Sequence, residues 1–140
     1  MRLEFIVLVW GCVLGAIHLF LAVRLKIKQY GSDWSMGARD ESLPPPQPLL
    51  GRLMRAQSNY FETFPIVVAG IALIGITGLH SRWTAIGALT WLAARCVFLP
   101  LYAAGIPVAR TVSFIVSVVG IFMLFWPLLT IAVNIPALFR

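Results

Sequence analysis

The chain has 140 residues, 60% of them hydrophobic and 11% charged, with a formal net charge of +6 and a mean hydropathy of +0.91. A soluble globule of this size buries only about two-thirds of the surface its unfolded chain exposes. The composition therefore excludes an ordinary water-soluble domain and points to a single all-α membrane domain over residues 1–140. The basic residues flank apolar runs, a pattern of membrane topology and not of nucleic-acid binding.

A spanning helix needs about 20 mostly apolar residues, each rising about 1.5 Å across about 30 Å of hydrocarbon. The first candidate is predicted over 4–28 around the apolar run Phe5–Val23. That run exceeds a signal-peptide core of roughly 7–15 residues, and no small-x-small site follows before Arg24, so it reads as a permanent span. It carries Gly11 and Gly15 in GxxxG spacing, which allows close helix approach. Its His18 has no second ligand nearby and is expected to pack or to hydrogen-bond. Residues 29–50 are polar, with Gly31, Gly37 and Pro44-Pro45-Pro46-Gln47-Pro48. Proline fixes φ and lacks a donor, so this stretch is expected to be an ordered loop or an extended strap.

The second helix is predicted over 51–79, with its uninterrupted apolar part from Phe64 to Leu79. His80-Ser81-Arg82 forms a tight turn, and a third helix follows over 83–104 with Arg95 and Pro100 inside it. Gly105-Ile106-Pro107 breaks the chain again, and a fourth helix runs over 110–135. Trp83 and Trp126 suit interface or packing positions. Cys12 and Cys96 lie in apolar runs without CxxC or metal spacing and are expected to be small buried hydrophobes; no metal site is expected.

Arg24, Lys26, Lys28, Arg39, Arg52, Arg55 and Arg110 belong to the end shared by the first and third connections, against Arg2, Arg82 and Arg140 at the other. Positive residues favour the cytoplasmic side, so both termini are expected on the non-cytoplasmic side, in a bacterial inner membrane.

Polar residues at membrane depth are costly and mark function or glue. At about 100° per residue, Arg52, Arg55, Asn59 and Glu62 share a helical arc of about 80°. One face thus presents two guanidiniums, an amide and a carboxylate. A salt-bridge ladder that fixes packing is one reading. The mutual repulsion of Arg52 and Arg55 favours the other, an acidic ligand. Gln57 lies off this face and would reach a site only on a neighbouring copy. Arg95 shares a face with Phe98 and Tyr102 and needs a partner; Glu62 is the acid at comparable depth, so a buried Arg95–Glu62 pair is expected. Arg110 opens the fourth helix as a snorkelling anchor or as a charge that stabilises an anion. A free thiol has a pKa of about 8.5, which a nearby guanidinium lowers, so Arg110 would suit activation of a substrate thiol.

Arg52-Leu53-Met54-Arg55-Ala56-Gln57-Ser58-Asn59-Tyr60-Phe61-Glu62-Thr63-Phe64-Pro65 resembles the R-x-x-R-A-x-x-N-x-x-E-x-x-P signature of the MAPEG family, membrane-associated proteins in eicosanoid and glutathione metabolism. The stretch from Ala94 to Pro107, followed by Arg110, looks like the family's third-helix block and the arginine of its fourth helix. Gly37-Ala38-Arg39-Asp40 resembles the loop of bacterial members. The resemblance implies a homotrimer of four-helix subunits that binds glutathione between neighbours near the cytoplasmic face. Carried over by position, it implies that Arg55, Asn59 and Glu62, joined by Arg52, hold glutathione. Gln57 from the adjacent subunit and Tyr102 would assist, and Arg110 would stabilise the thiolate as the catalytic residue. Arg24 matches a further basic ligand loosely. Thr63 and Phe98 depart from the pattern: Thr63 stands where eicosanoid-pathway members have a tyrosine after the motif's glutamate, and Phe98 where many members have one in the third helix.

The function so implied is a membrane glutathione transferase or peroxidase, in which glutathione is a co-substrate and a lipophilic electrophile or hydroperoxide arrives from membrane lipid. A non-catalytic relative that binds lipid or a partner protein is the alternative. A small multidrug transporter with Glu62 as its proton site is a third class, disfavoured by the arginines beside that carboxylate.

Overall fold

The computed structural model describes residues 1–133, and the predicted end of the fourth helix at 135 and the basic residue Arg140 lie outside them. Its elements are α1 (Leu3–Tyr30), the short α2 (Ser32–Met36), α3 (Pro48–Thr77), α4 (Arg82–Ala104) and α5 (Pro107–Val133). The four long helices are each long and apolar enough to cross a membrane, which makes the chain an all-α, multi-pass integral membrane protein.

The boundaries follow local chemistry. Gly31, Gly78 and Gly105 stop α1, α3 and α4 with φ of 91°, 71° and 76°, a region open to glycine at little cost. α4 starts with a capping box: Thr84 N–H donates to Ser81 Oγ at 3.1 Å, and Ser81 N–H donates to Thr84 Oγ1 at 2.9 Å. α3 starts three residues earlier than the proline run suggests, because Pro48 occupies its first turn, where a missing N–H costs nothing.

The segment expected to be wholly non-helical also contains α2. Beyond it, a strap is tied to the end of α1. Gln29 Nε2 donates to Pro45 O at 3.1 Å, and Gln47 N–H donates to Gln29 Oε1 at 2.9 Å. Tyr30 Oη donates to Pro44 O at 3.1 Å.

The core lies where α1, α3 and α4 meet around Tyr60, which is fully buried. Its hydroxyl donates to Gly11 O at 2.6 Å. Its ring stacks on His18 at 4.5 Å and on Phe64 at 5.3 Å, and Phe64 stacks in turn on Trp91 at 5.9 Å. Gly11 and Gly15 make this approach possible within the chain: a Cβ at Gly11 would sit 2.9 Å from Phe64, and one at Gly15 would sit 3.2 Å from Tyr60. His18 is buried, and its Nδ1 donates to Leu14 O at 2.9 Å. Cys12 and Cys96, expected to be buried, are exposed on the outside of the bundle; apolar character in a membrane helix does not say which face is inward, because lipid is as apolar as the core.

α5 packs mainly on α4 through paired glycines. A Cβ at Gly120 would lie 2.6 Å from Trp91 N and 2.7 Å from Gly87 O, so the two backbones touch. At the α4 N-terminal end, Glu4 is buried and accepts from Thr84 Oγ1 at 2.7 Å, with His80 Nδ1 at 3.4 Å. This polar knot fastens α1 to the α3–α4 turn.

Candidate anion site at the α4–α5 turn

Alternating spans bring the end of α1, the start of α3 and the α4–α5 turn to one end of the bundle. Arg24, Arg52, Arg55, Arg110 and the strap therefore share that end. Among the described residues the ion pair formed is His80–Glu4, at the opposite end, so no carboxylate pairs with any of these arginines.

Arg110 lies in the first turn of α5, where its own N–H makes a helical bond to Ile106 O at 3.2 Å. A helix N-terminus carries partial positive charge, and a guanidinium beside it adds a full one. Among the described residues no carboxylate forms an ion pair with Arg110, and a cation left free beside a helix N-terminus is the electrostatic character of an anion site. The guanidinium sits over the Tyr102 ring at 4.6 Å, a cation–π contact that holds it in place. Asn59, Phe98, Tyr102, Arg110, Thr111 and Phe114 line one cavity of about 210 Å³ here.

The predicted site residues divide. Asn59, Tyr102 and Arg110 converge on this cavity; Arg52, Arg55, Gln57 and Glu62 do not line it. Arg55 and Glu62 are exposed on the outer face of α3, and Gln57 is half-buried off that face. Glu62 accepts from Ser58 Oγ at 3.0 Å. Arg52 is tied within the chain: Nη1 donates to Ala103 O at 3.1 Å, which satisfies a free carbonyl at the end of α4. It also covers Gly105, where a Cβ would lie 2.6 Å from Arg52 Cζ.

The expected Arg95–Glu62 ion pair is corrected by the structure. Arg95 Nη1 donates to Asn59 Oδ1 at 2.6 Å, and Nη2 donates to Thr63 Oγ1 at 2.7 Å. Asn59 and Thr63 turn inward on α3, whereas Glu62 turns outward. Sequence reasoning missed Thr63 as a partner of Arg95, and it missed Thr111 and Phe114 in the cavity wall. Phe114 stands at i+4 from Arg110, a spacing that places both on one helix face and that would have found it. Glu4 was missed because its partners His80 and Thr84 are far away in sequence. Among the described residues no group of His, Cys, Asp or Glu is gathered as metal ligands would be.

Fold and site together define a multi-pass membrane protein of four long helices, with a cavity at one end whose lining carries an arginine and no acid. The sequence model of the MAPEG family matches residues 7–130, and the chain belongs to that family, which includes glutathione-dependent transferases and peroxidases. No curated protein matches the chain.

Proposed function

We propose that the protein is a membrane-bound glutathione transferase or peroxidase acting on lipophilic electrophiles or hydroperoxides. The observation that carries this reading is the unpaired Arg110 over Tyr102, facing a cavity shared with Asn59. Glutathione offers two carboxylates and a thiol, so it suits a site rich in donors and poor in acids. Arg110 stabilises the thiolate. The sulfur then attacks an electrophilic carbon, whose leaving group departs with the bonding pair, or the terminal oxygen of a hydroperoxide, whose O–O bond breaks to release an alkoxide that takes a proton to become the alcohol; the sulfenic acid so formed condenses with a second glutathione to give the disulfide and water. Positioning and charge stabilisation supply the rate.

The cavity of about 210 Å³ is smaller than the roughly 300 Å³ at which pockets for small molecules begin. Arg55 and Glu62 are exposed on the outer face of α3 and do not line it. A second copy of the chain completes the site in this reading, with Gln57 and Arg24 available from the neighbour; a homotrimer closes such a head-to-tail arrangement. The basic end faces the cytoplasm by the positive-inside rule, which puts glutathione on the side where the cavity opens and both termini on the other.

A second reading, lipid or partner binding without chemistry, is favoured by Arg52, whose guanidinium is engaged within the chain, and by the absence of phenols at Thr63 and Phe98. Glutathione binding to the detergent-purified protein, followed by calorimetry and by ultraviolet absorbance of the thiolate, separates the two. The enzyme reading expects a thiolate signal that disappears in Arg110→Ala, together with conjugation. A wild type without the signal, or an Arg110→Ala variant that keeps it, would sink the enzyme reading and leave the binding one.

A further inference from the structure

Arg95 is fully buried inside a membrane span, and no carboxylate of the described chain pairs with it. A buried charge is costly unless it is neutralised or well hydrogen-bonded. Its direct partners here are neutral, and the titratable groups around it, Glu62, Tyr60 and His18, act on it through space without an ion pair. Asn59 and Thr63 take two of its donors, and the Phe98 and Phe114 rings each lie 5.2 Å from its Cζ. Its Nε has no partner. The Thr63 hydroxyl is oriented to accept from it: the O–H donates to the Asn59 and Tyr60 carbonyls at 3.2 Å, so the oxygen presents a lone pair to Arg95. Thr63 and Phe98, the two departures from the tyrosines of some family members, are thus two of the four side chains that hold this guanidinium.

Guanidinium has donors and no acceptor, so the Asn59 side chain must turn Oδ1 toward Arg95. Its Nδ2 group is then left for the cavity, which Asn59 lines opposite Tyr102 and Arg110. The same amide dipole points its positive end into the cavity, with the Arg95 cation behind it.

We propose that Arg95 is a positioning residue for the anion site: it locks Asn59 as a donor-only group and lends it positive potential, so that the cavity selects acceptor groups such as a carboxylate or a thiolate. This rests on the glutathione reading and deepens it. Arg95 does not touch the ligand; it acts through Asn59.

The test uses the full chain in detergent with glutathione, and it reads affinity and the pH midpoint at which bound thiol becomes thiolate. Arg95→Met removes both charge and orientation. It weakens glutathione binding by about tenfold, the scale of a hydrogen bond that a charged neighbour strengthens, and it raises the thiolate midpoint by roughly one unit. Its thermal stability is kept or increased, because an unpaired buried charge has gone. Arg95→Lys keeps the charge without the two-pronged grip: it holds the midpoint near wild type and still loses affinity.

A ligand-free arm uses Asn59→Asp, which supplies the missing carboxylate. It raises the melting temperature in the wild-type background and fails to do so with Arg95→Met. Wild-type affinity and midpoint in Arg95→Met, or an equal gain from Asn59→Asp in both backgrounds, would overturn the inference. If Arg95→Met does not fold, wild-type affinity in Arg95→Lys overturns it instead. A wild type with no thiolate signal removes the glutathione reading and this inference with it. A wild-type signal that Arg95→Met leaves unmoved removes this inference alone.

Discussion

Replacing Gly120 by alanine adds one methyl group where α5 touches α4. The new Cβ would lie 2.6 Å from Trp91 N, 2.7 Å from Gly87 O and 3.1 Å from Trp91 Cα, all of them backbone atoms. Backbone atoms inside a helix have no rotamer to adopt, so relief must come from moving a helix. To regain ordinary contact near 3.4 Å, α5 retreats by roughly 0.8 Å, a gap that forfeits a quarter to a half of each contact's dispersion energy along the seam. Fully buried Trp91, Ser117 and Leu124 lie on that seam.

Overpacking in a dense interior costs about 1–3 kcal/mol, and the rigid partners here place Gly120→Ala at the upper end. For a chain of this size that lowers the melting temperature by roughly 10 °C. Gly75→Ala is the control. Its Cβ meets only the tip of the Phe5 ring, at 2.9 Å; that ring can swing away, and the cost stays below about 1 kcal/mol. Thermal unfolding of both variants in detergent, followed by circular dichroism, checks the argument. A Gly120→Ala protein as stable as wild type, or a Gly75→Ala protein damaged as badly, would refute the claim that backbone contact joins α4 to α5.

Gly105→Ala is expected to lose about 1–2 kcal/mol from its positive φ alone, and to weaken glutathione binding as well, because its Cβ would displace Arg52 from the α4–α5 turn that carries Arg110; calorimetry with glutathione reads the second effect. Glu4→Gln leaves Thr84 an acceptor but removes the charge that faces His80. It should cost about 1–3 kcal/mol in thermal unfolding while glutathione affinity stays at the wild-type value, since the knot lies at the far end of the bundle.

Four spans, their order and the polar face of α3 were legible in the sequence, because hydrophobic runs of bilayer length and a 3.6-residue period are one-dimensional signals. So was the convergence of Asn59, Tyr102 and Arg110 on one end, which alternating spans dictate. The strap was legible as proline-rich but not as fastened by Gln29, and α2 was missed because five residues carry little periodicity.

The partners were decided by the tertiary structure alone. Glu62 and Asn59 stand three residues apart on one arc, and the arc does not say which edge meets α4. The packing of α3 on α4 turns Asn59 and Thr63 inward and Glu62 outward, so Arg95 bonds the amide and the hydroxyl and not the acid. Arg52 looked equal to Arg55 in sequence, yet only Arg52 comes within reach of the Ala103 carbonyl. Cys12 and Cys96 were misread for the same reason. In water, hydrophobicity separates inside from outside; in lipid both faces of a span are apolar, and only packing tells them apart.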